Sequence, residues 1–168
     1  MGRRLAFALT LFAWLASLAC GYSFRSAAGR LPDGSRSLRV AVVEDRSTEA
    51  GAGAELSEAL RNQALRRSLQ PGKEEAVLAT RLVRVDARPL AVALAAGRYR
   101  ARQQEVVIRA SFVLSLASGE RHEFQLQEQA SYLSAADLRN TLANKRVALQ
   151  QAIDRMAEAA IERISRGF

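Results

Sequence analysis

Glu105-Val-Val-Ile-Arg-Ala-Ser-Phe-Val-Leu-Ser-Leu116 decides the fold. Every even position is apolar: Val106, Ile108, Ala110, Phe112, Leu114 and Leu116. The odd positions are mostly polar, with Glu105, Arg109, Ser111 and Ser115. A period of two is a strand, because successive side chains point to opposite faces. One apolar and one wetter face suit an antiparallel sheet that is covered on one side only. Just downstream, Ser118-Gly119-Glu120 predicts a tight turn. Arg121 to Tyr132 then keeps the alternation, with Phe124, Leu126, Ala130 and Tyr132 on one side and Gln125, Gln127 and Gln129 on the other.

The cover for the apolar face comes from two helical patterns. Ser134-Ala-Ala-Asp137 has the shape of a capping box with Asp in place of Glu. It opens a helix whose stripe is Leu138, Leu142, Leu149, Ile153, Met156, Ala160, Ile161 and Ile164. Asn140 to Asn144 is weakly helical, so the regular helix is expected from about Ala143. Upstream, Ala54 to Leu69 carries Leu56, Leu60 and Ala64 as its stripe, Glu55 and Glu58 early and Arg66 and Arg67 late. That charge order suits the helix dipole, and Pro71-Gly72 stops the pattern.

Two more strands complete the set. Ser37 to Glu44 is rich in valine, with Leu38, Val40 and Val42 on one face. Ala76 to Ala87 places Val83, Val85 and Ala87 against Arg84, Asp86 and Arg88. Pro89 in that run argues for a bulge or an edge position. A weaker extended segment reaches Ala95, and Gly97 marks a turn. The order β-α-β-β-β-α predicts an α+β two-layer sandwich: a four-stranded mixed sheet with two helices on one face. The strand–helix–strand unit is expected to pair in parallel and the later strands antiparallel.

Residues 1–19 read as an export signal. Arg3 and Arg4 precede an apolar core from Leu5 to Leu15, then Ala-Ser-Leu-Ala leads to Cys20, the only cysteine. The stretch is shorter than the roughly 20 residues a membrane span needs. A cysteine at that point suggests a bacterial lipoprotein, cut before Cys20 and acylated on its thiol. Ser17 and Leu18 depart from the commonest residues of such cleavage sites. Residues 20–36, with Gly21, Gly29, Pro32 and Gly34, read as a tether, and residues 37–168 as one α+β domain. Gly21 and Tyr22 contain no aspartate signal for inner-membrane retention, so the outer membrane, on its periplasmic side, is the expected address.

The 25 Lys and Arg, less Arg3 and Arg4, leave 23 against 17 Asp and Glu, a net +6 beyond the leader. Lys73 and Lys145 are the only lysines. Arginine's planar fork suits carboxylates and phosphates. No run of basic residues interleaved with aromatics points to nucleic acid, and an exported protein does not meet the chromosome. Anionic lipid head groups fit the charge better.

The parts and their order resemble the LptE family of outer-membrane lipopolysaccharide-assembly lipoproteins. The resemblance begins at Cys20-Gly21-Tyr22-Ser23-Phe24-Arg25 and continues through Leu31-Pro32, Ser37-Leu38-Arg39-Val40-Ala41-Val42 and Asp45-Arg46-Ser47-Thr48-Glu49. It runs on through Ala76-Val77-Leu78, the Pro89 strand, the Gly97 turn, the alternating strand and the terminal helix ending in Gly-Phe. Ser23 stands where the family commonly has His, and Asp45 where it has Asn. The resemblance implies a non-catalytic role beside an LptD-like outer-membrane β-barrel, as its plug and assembly partner. It also implies contact with lipopolysaccharide and membrane attachment through acyl chains.

No catalytic constellation is visible. One histidine, His122, and one cysteine leave no metal set and no nucleophile–base pair. Gly51-Ala-Gly53 lacks the following Lys of a phosphate loop. No cofactor, metal or enzymatic activity is expected. The candidate lipopolysaccharide contacts are Arg98, Arg100 and Arg102, which share one face of a strand after the Gly97 turn, and Lys145 with Arg146 near the start of the last helix. Arginines there suit bidentate grip on phosphates; a solvated turn and a solvated helix face are the plain alternatives. Rival readings are an adaptor lipoprotein of the LpoB or CsgG type and a free-standing lipid-binding module.

Overall fold

The computed structural model describes residues 29–73, 75–95 and 98–168, with side chains described outside 91–102. The leader, Cys20, Tyr22, Phe24, the first part of the tether and the Gly97 turn lie outside the described residues. The elements are β1 (Leu38–Val40), β2 (Glu44–Asp45), α1 (Ala52–Arg66), β3 (Ala76–Ala95), β4 (Arg98–Ser115), β5 (Arg121–Leu133) and α2 (Leu138–Arg166). β1 and β2 both pair in parallel with β3, while β3–β4 and β4–β5 are antiparallel, giving the order β1-β3-β4-β5 with β2 also on β3. The result is the expected α+β sandwich, with the first strand split in two.

The even positions of β4 form the floor of the core. Val106, Ile108, Phe112 and Leu114 are fully buried, packed with Leu56 and Leu60 of α1 and Leu149, Ile153, Met156 and Ile161 of α2. Phe112 stacks on Phe124 of β5 with centroids 5.0 Å apart. Burying each such side chain contributes about 1.5–3 kcal/mol. Both helices therefore share one face of the sheet, and the other face carries the Arg, Gln and Ser positions.

Four register shifts interrupt the simple alternation, one on the first strand and three between β3 and β4. In the first strand, Val40 pairs with Leu78 but Glu44 with Arg81, so the edge strand holds one residue more than its partner. The extra residue turns Val42 out to 77% exposure and brings Val43 into the core. Val42 therefore does not share the inner face of Leu38 and Val40. The Val43 N–H, withdrawn from the ladder, donates to Ser57 Oγ at 3.0 Å. In β3 the register shifts between Leu82 and Arg84. Leu82 is buried there and Val83 is exposed, the reverse of the alternation expected around Val83. The shift between Pro89 and Ala91 places a bulge at the proline, as its missing N–H requires.

Helix ends also differ from expectation. Asp137, rather than Ser134, is the N-cap of α2: its carboxylate accepts from Asn140 N at 2.9 Å. Ser134 instead accepts from Gln104 Nε2 at 2.9 Å. With that cap the helix is regular from Leu138, five residues before Ala143. α1 starts at Ala52 behind Gly51, whose φ of 85° favours glycine. Asp45 stands in as a remote cap, its Oδ2 accepting from Gly53 N at 2.8 Å. Only glycine fits there, since a Cβ on residue 53 would lie 2.6 Å from Asp45 Cβ. Burial pushes the Asp45 carboxyl up, but the bonds from Ser47 and Gly53 outweigh it and hold it below its ordinary value. α1 ends before Pro71: Ser68 adopts a left-handed φ of 59° and Leu69 N returns to Ala64 O at 2.9 Å, which closes the last turn.

Candidate functional site

β3 and β4 run well past their neighbours. Leu133, the last residue of β5, pairs with Gln103, so the hairpin from Ala91 to Ala101 extends beyond the edge of the sandwich. β4 is 18 residues long, about 60 Å at full extension. At the far end, Gly29 N donates to Arg67 O at 2.8 Å, beside the C-terminal ends of both helices. The tether therefore leaves from one pole and the hairpin projects from the other.

Arg98 and Arg100 occupy paired positions at the start of β4, opposite Ala95 and Ala93. Arg102 is the extra residue of a bulge, because Ala101 pairs with Val92 and Gln103 with Ala91. The two-residue period expected to align all three arginines is broken at the third. Their side chains lie outside the described residues.

Lys145 and Arg146 sit where the hairpin joins the sandwich, and each meets a carboxylate. Lys145 Nζ lies 2.5 Å from Glu49 Oε2 in a three-quarters buried pair, and Arg146 pairs with Glu55 in the first turn of α1. Both pairs tie α2 to the loop before α1 and to α1 itself. Next to them Tyr132 donates to Gln104 Oε1 at 2.5 Å, and Gln104 passes the chain on to Ser134. Burial raises the Tyr132 hydroxyl above its usual value; Lys145 opposes and Glu49 assists. The phenol stays neutral and acts as a hydrogen-bond donor. Asn144 Nδ2 donates to Leu133 O at 2.9 Å, which fixes the first turns of α2 against the end of β5.

An apolar rim surrounds this polar knot, and the sequence pattern did not point to it. Leu138 and Leu142 continue the core stripe of α2 but are 72% and 54% exposed, and Leu133 is 64% exposed. Leu138 and Leu142 lie about one to two turns before Lys145 and Arg146, which meet Glu49 and Glu55 at the head of α1, so the stripe starts ahead of α1. Leu90, at the hairpin bulge, is also half exposed. The hairpin pole thus combines basic positions with exposed leucines, the two chemistries of an anionic amphiphile. Among the described residues it holds no acid–base or nucleophile set and no cluster of metal-ligating side chains. None of the described helices is long and apolar enough to cross a membrane.

His122 stacks on Phe168 at 4.3 Å and lies 3.1 Å from Glu120, at the opposite pole. It is a packing residue at the hairpin turn. On the sheet's open side, a trough of about 630 Å³ runs over Ala79, Arg81, Ser111 and Val113 to Arg121 and Glu123.

The family profile described as LptE, lipopolysaccharide-assembly, matches residues 35–166. No curated protein matches. Solved structures match in fold. A candidate lipoprotein of Caulobacter crescentus aligns at TM-score 0.52 and 18% identity, covering 78% of this chain and 89% of that one. A minor lipoprotein of Acinetobacter baumannii aligns at 0.52 and 14%, covering 78% and 91%. A hypothetical protein of Chlamydia trachomatis aligns at 0.50 and 12%, covering 77% and 96%. At these identities the three share the sandwich and nothing finer.

Proposed function

Since this chain belongs to the LptE family of lipopolysaccharide-assembly proteins, we propose that it is the plug and assembly partner of an LptD-like outer-membrane β-barrel. The family is non-catalytic and works at the outer membrane, and the chain is a lipopolysaccharide-assembly protein of that kind rather than an enzyme. The observation that carries the reading is that the family match spans the whole folded domain, residues 35–166.

In this proposal, acyl chains on Cys20 hold the protein at the periplasmic face of the outer membrane. Two or more chains are needed for stable attachment. From Cys20 to Gly29 the chain can span about 30 Å, which lets the tether pole sit near the membrane. The sheet's open face carries Arg109 bonded to Gln127, Arg81 paired with Glu44, and Gln125. A polar, hydrogen-bonding surface of that kind suits a barrel lumen. The hairpin pole, with Arg98, Arg100 and Arg102 beside exposed leucines, is the region we assign to lipopolysaccharide. Guanidinium groups would grip its phosphates and the leucines its acyl chains. Lys145 and Arg146 would join only by leaving Glu49 and Glu55.

Purification of the tagged protein from outer membranes tests the partnership. Recovery of a large β-barrel with it is the expected result; its consistent absence overturns the plug. Cys20→Ala should move the protein to the soluble fraction, and a mature Cys20 without acyl mass would overturn the anchor. Neutralising Arg98, Arg100 and Arg102 together should weaken lipopolysaccharide binding and flatten its salt dependence. Unchanged affinity at low salt would leave the three as a solvated turn.

A further inference from the structure

We propose that the outer edge of β5, from Arg121 to Gln127, is a docking site for an extended acidic segment of a partner protein, bound by strand addition. The direction of the backbone groups follows from three hydrogen bonds. Leu116 N donates to Glu120 O across the turn at 2.8 Å, so the even residues of this strand face β4. The odd residues then face outward, and two observations agree. Gln129 O accepts from Arg155 Nη1 at 3.2 Å, and Leu133 O accepts from Asn144. Side chains of α2 therefore cap the second half of the edge. Among the described residues, nothing bonds to the backbone of Arg121, Glu123, Gln125 or Gln127 on that side. The ladder with β4 runs from Gln103–Leu133 to Ser115–Arg121 without a register shift. It has no proline, no lysine and no bulge, three of the devices by which proteins blunt an edge, and its charges are Arg121, Glu123 and Glu128.

The open stretch also has a recess on each side for alternating side chains. Toward the helices, a groove of about 320 Å³ is lined by Ala159, Glu162, Arg163, Arg166 and Phe168. Phe168 supplies the groove's aromatic surface, and Arg163, whose guanidinium lies 5.1 Å over the buried Phe124 ring, supplies a cation at its wall. Toward the open face lies the trough that ends at Arg121, Glu123 and Gln125. Free main-chain groups flanked by pockets on both faces are what strand addition uses: the ladder gives affinity and the pockets select side chains.

Charge chooses the occupant. Arg155, Arg163 and Arg166 line the helix side of the edge, three guanidinium groups against two carboxylates, Glu162, which pairs with Arg166, and Glu128 of β5. An incoming strand that places its acidic residues on that side and its apolar residues on the other is favoured. A second copy of β5 is disfavoured, because antiparallel pairing about the edge would bring the two arginine rows onto one side of the joined sheet. The proposal concerns the sandwich's lower edge and is separate from the hairpin pole assigned above.

The test uses the full chain in neutral detergent and two synthetic probes, a Val-Glu and a Val-Lys alternating octapeptide. Anisotropy of the labelled peptides gives affinity, and amide chemical shifts give the place. The acidic peptide is expected to bind at least tenfold more tightly than the basic one, and to weaken with salt. The amides of Glu123, Gln125 and Gln127 are expected to shift while their even neighbours do not. Gln125→Pro, which removes an outward N–H and fixes the local φ, should weaken binding roughly fivefold, about the worth of one hydrogen bond. Equal affinity for both peptides overturns the proposal, as do shifts confined to the hairpin residues 98–102. Edge amides that broaden with protein concentration alone would overturn it in favour of a second copy. The amide map does not depend on the proline variant folding.

Discussion

Val43→Ala and Val42→Ala, two neighbouring substitutions with the same chemistry, should differ sharply in cost. Val43 is buried at 6% exposure on the core side of the first strand, whereas Val42 stands free on the open face. Removing two buried methyl groups forfeits about 1.6 kcal/mol of transfer free energy. A partly collapsed cavity adds some more, so about 2 kcal/mol is expected for Val43→Ala. Val42→Ala should stay within about 0.5 kcal/mol, as exposed substitutions do. Ser57→Ala gives an independent reading of the same bulge. It leaves the buried Val43 N–H without its acceptor, at a cost of about 1–3 kcal/mol. Urea unfolding of all three, compared at constant slope, measures these differences. If Val42→Ala were the costlier of the pair, the strand would run with the unbroken alternation of Leu38, Val40 and Val42. The bulge and the Ser57 bond would then be wrong together.

Phe112→Ala should cost about 3–5 kcal/mol, since the ring is fully buried and stacked on Phe124; Val113→Ala, on the trough side, should cost less than half as much in the same urea series. Asp45 has a lowered carboxyl value, so its contribution is fully present above the ordinary carboxylate value near 4 and is lost as pH falls through its folded value; the drop in urea midpoint below pH 4 should be shallower in Asp45→Asn than in the parent, and parallel curves would refute this. Asp137→Ala removes the cap of α2 and should cost about 1 kcal/mol, with faster amide exchange confined to the first turns from Leu138; loss spread along the whole helix would mean that the cap is elsewhere.

The strands and helices were legible where one rule acts alone. In β4 the even residues alternate without a bulge from Glu105 onward, so period two placed Phe112 and Leu114 correctly in the core. The same rule failed at Val42 and Val83, because a bulge adds one residue to one strand and leaves no mark in composition. Both lie where β3 meets the first strand, whose two pieces take different registers. From sequence alone Asp137 reads as the partner of a Ser134 cap, since Ser-x-x-Asp and a lone Asp N-cap share the same four residues. Only the Gln104–Ser134 bond, formed between segments 30 residues apart, separates them. The exposure of Leu138 and Leu142 was hidden for a similar reason. Helical periodicity shows which side of α2 is apolar, but not how far the sheet and α1 extend beneath it. At the candidate site, the basic residues were visible one by one. The carboxylates that meet Lys145 and Arg146 come from a loop and a helix about 90 residues earlier, a distance over which sequence spacing carries no information.

The arrangement of poles links these separate features. The fold could have closed with strands of equal length, as the short hairpin between β4 and β5 does. Instead β3 and β4 carry about a dozen residues between them, 91–102, beyond the last pair that β4 makes with β5. Chain ordered outside the core gains little from hydrophobic burial and still costs roughly 1–2 kcal/mol of backbone entropy per residue. The exposed leucines at the base of that hairpin add a further liability in water. Both costs make sense if the pole is covered in use by something apolar and anionic or by a partner wall. The ion pairs of Lys145 and Arg146 fit the same view: they brace α2 at the point where a load on the hairpin would enter the sandwich. Breaking one of them should therefore loosen the hairpin's attachment more than it lowers global stability, because such partly exposed pairs are worth only about 0–1 kcal/mol in an unfolding experiment.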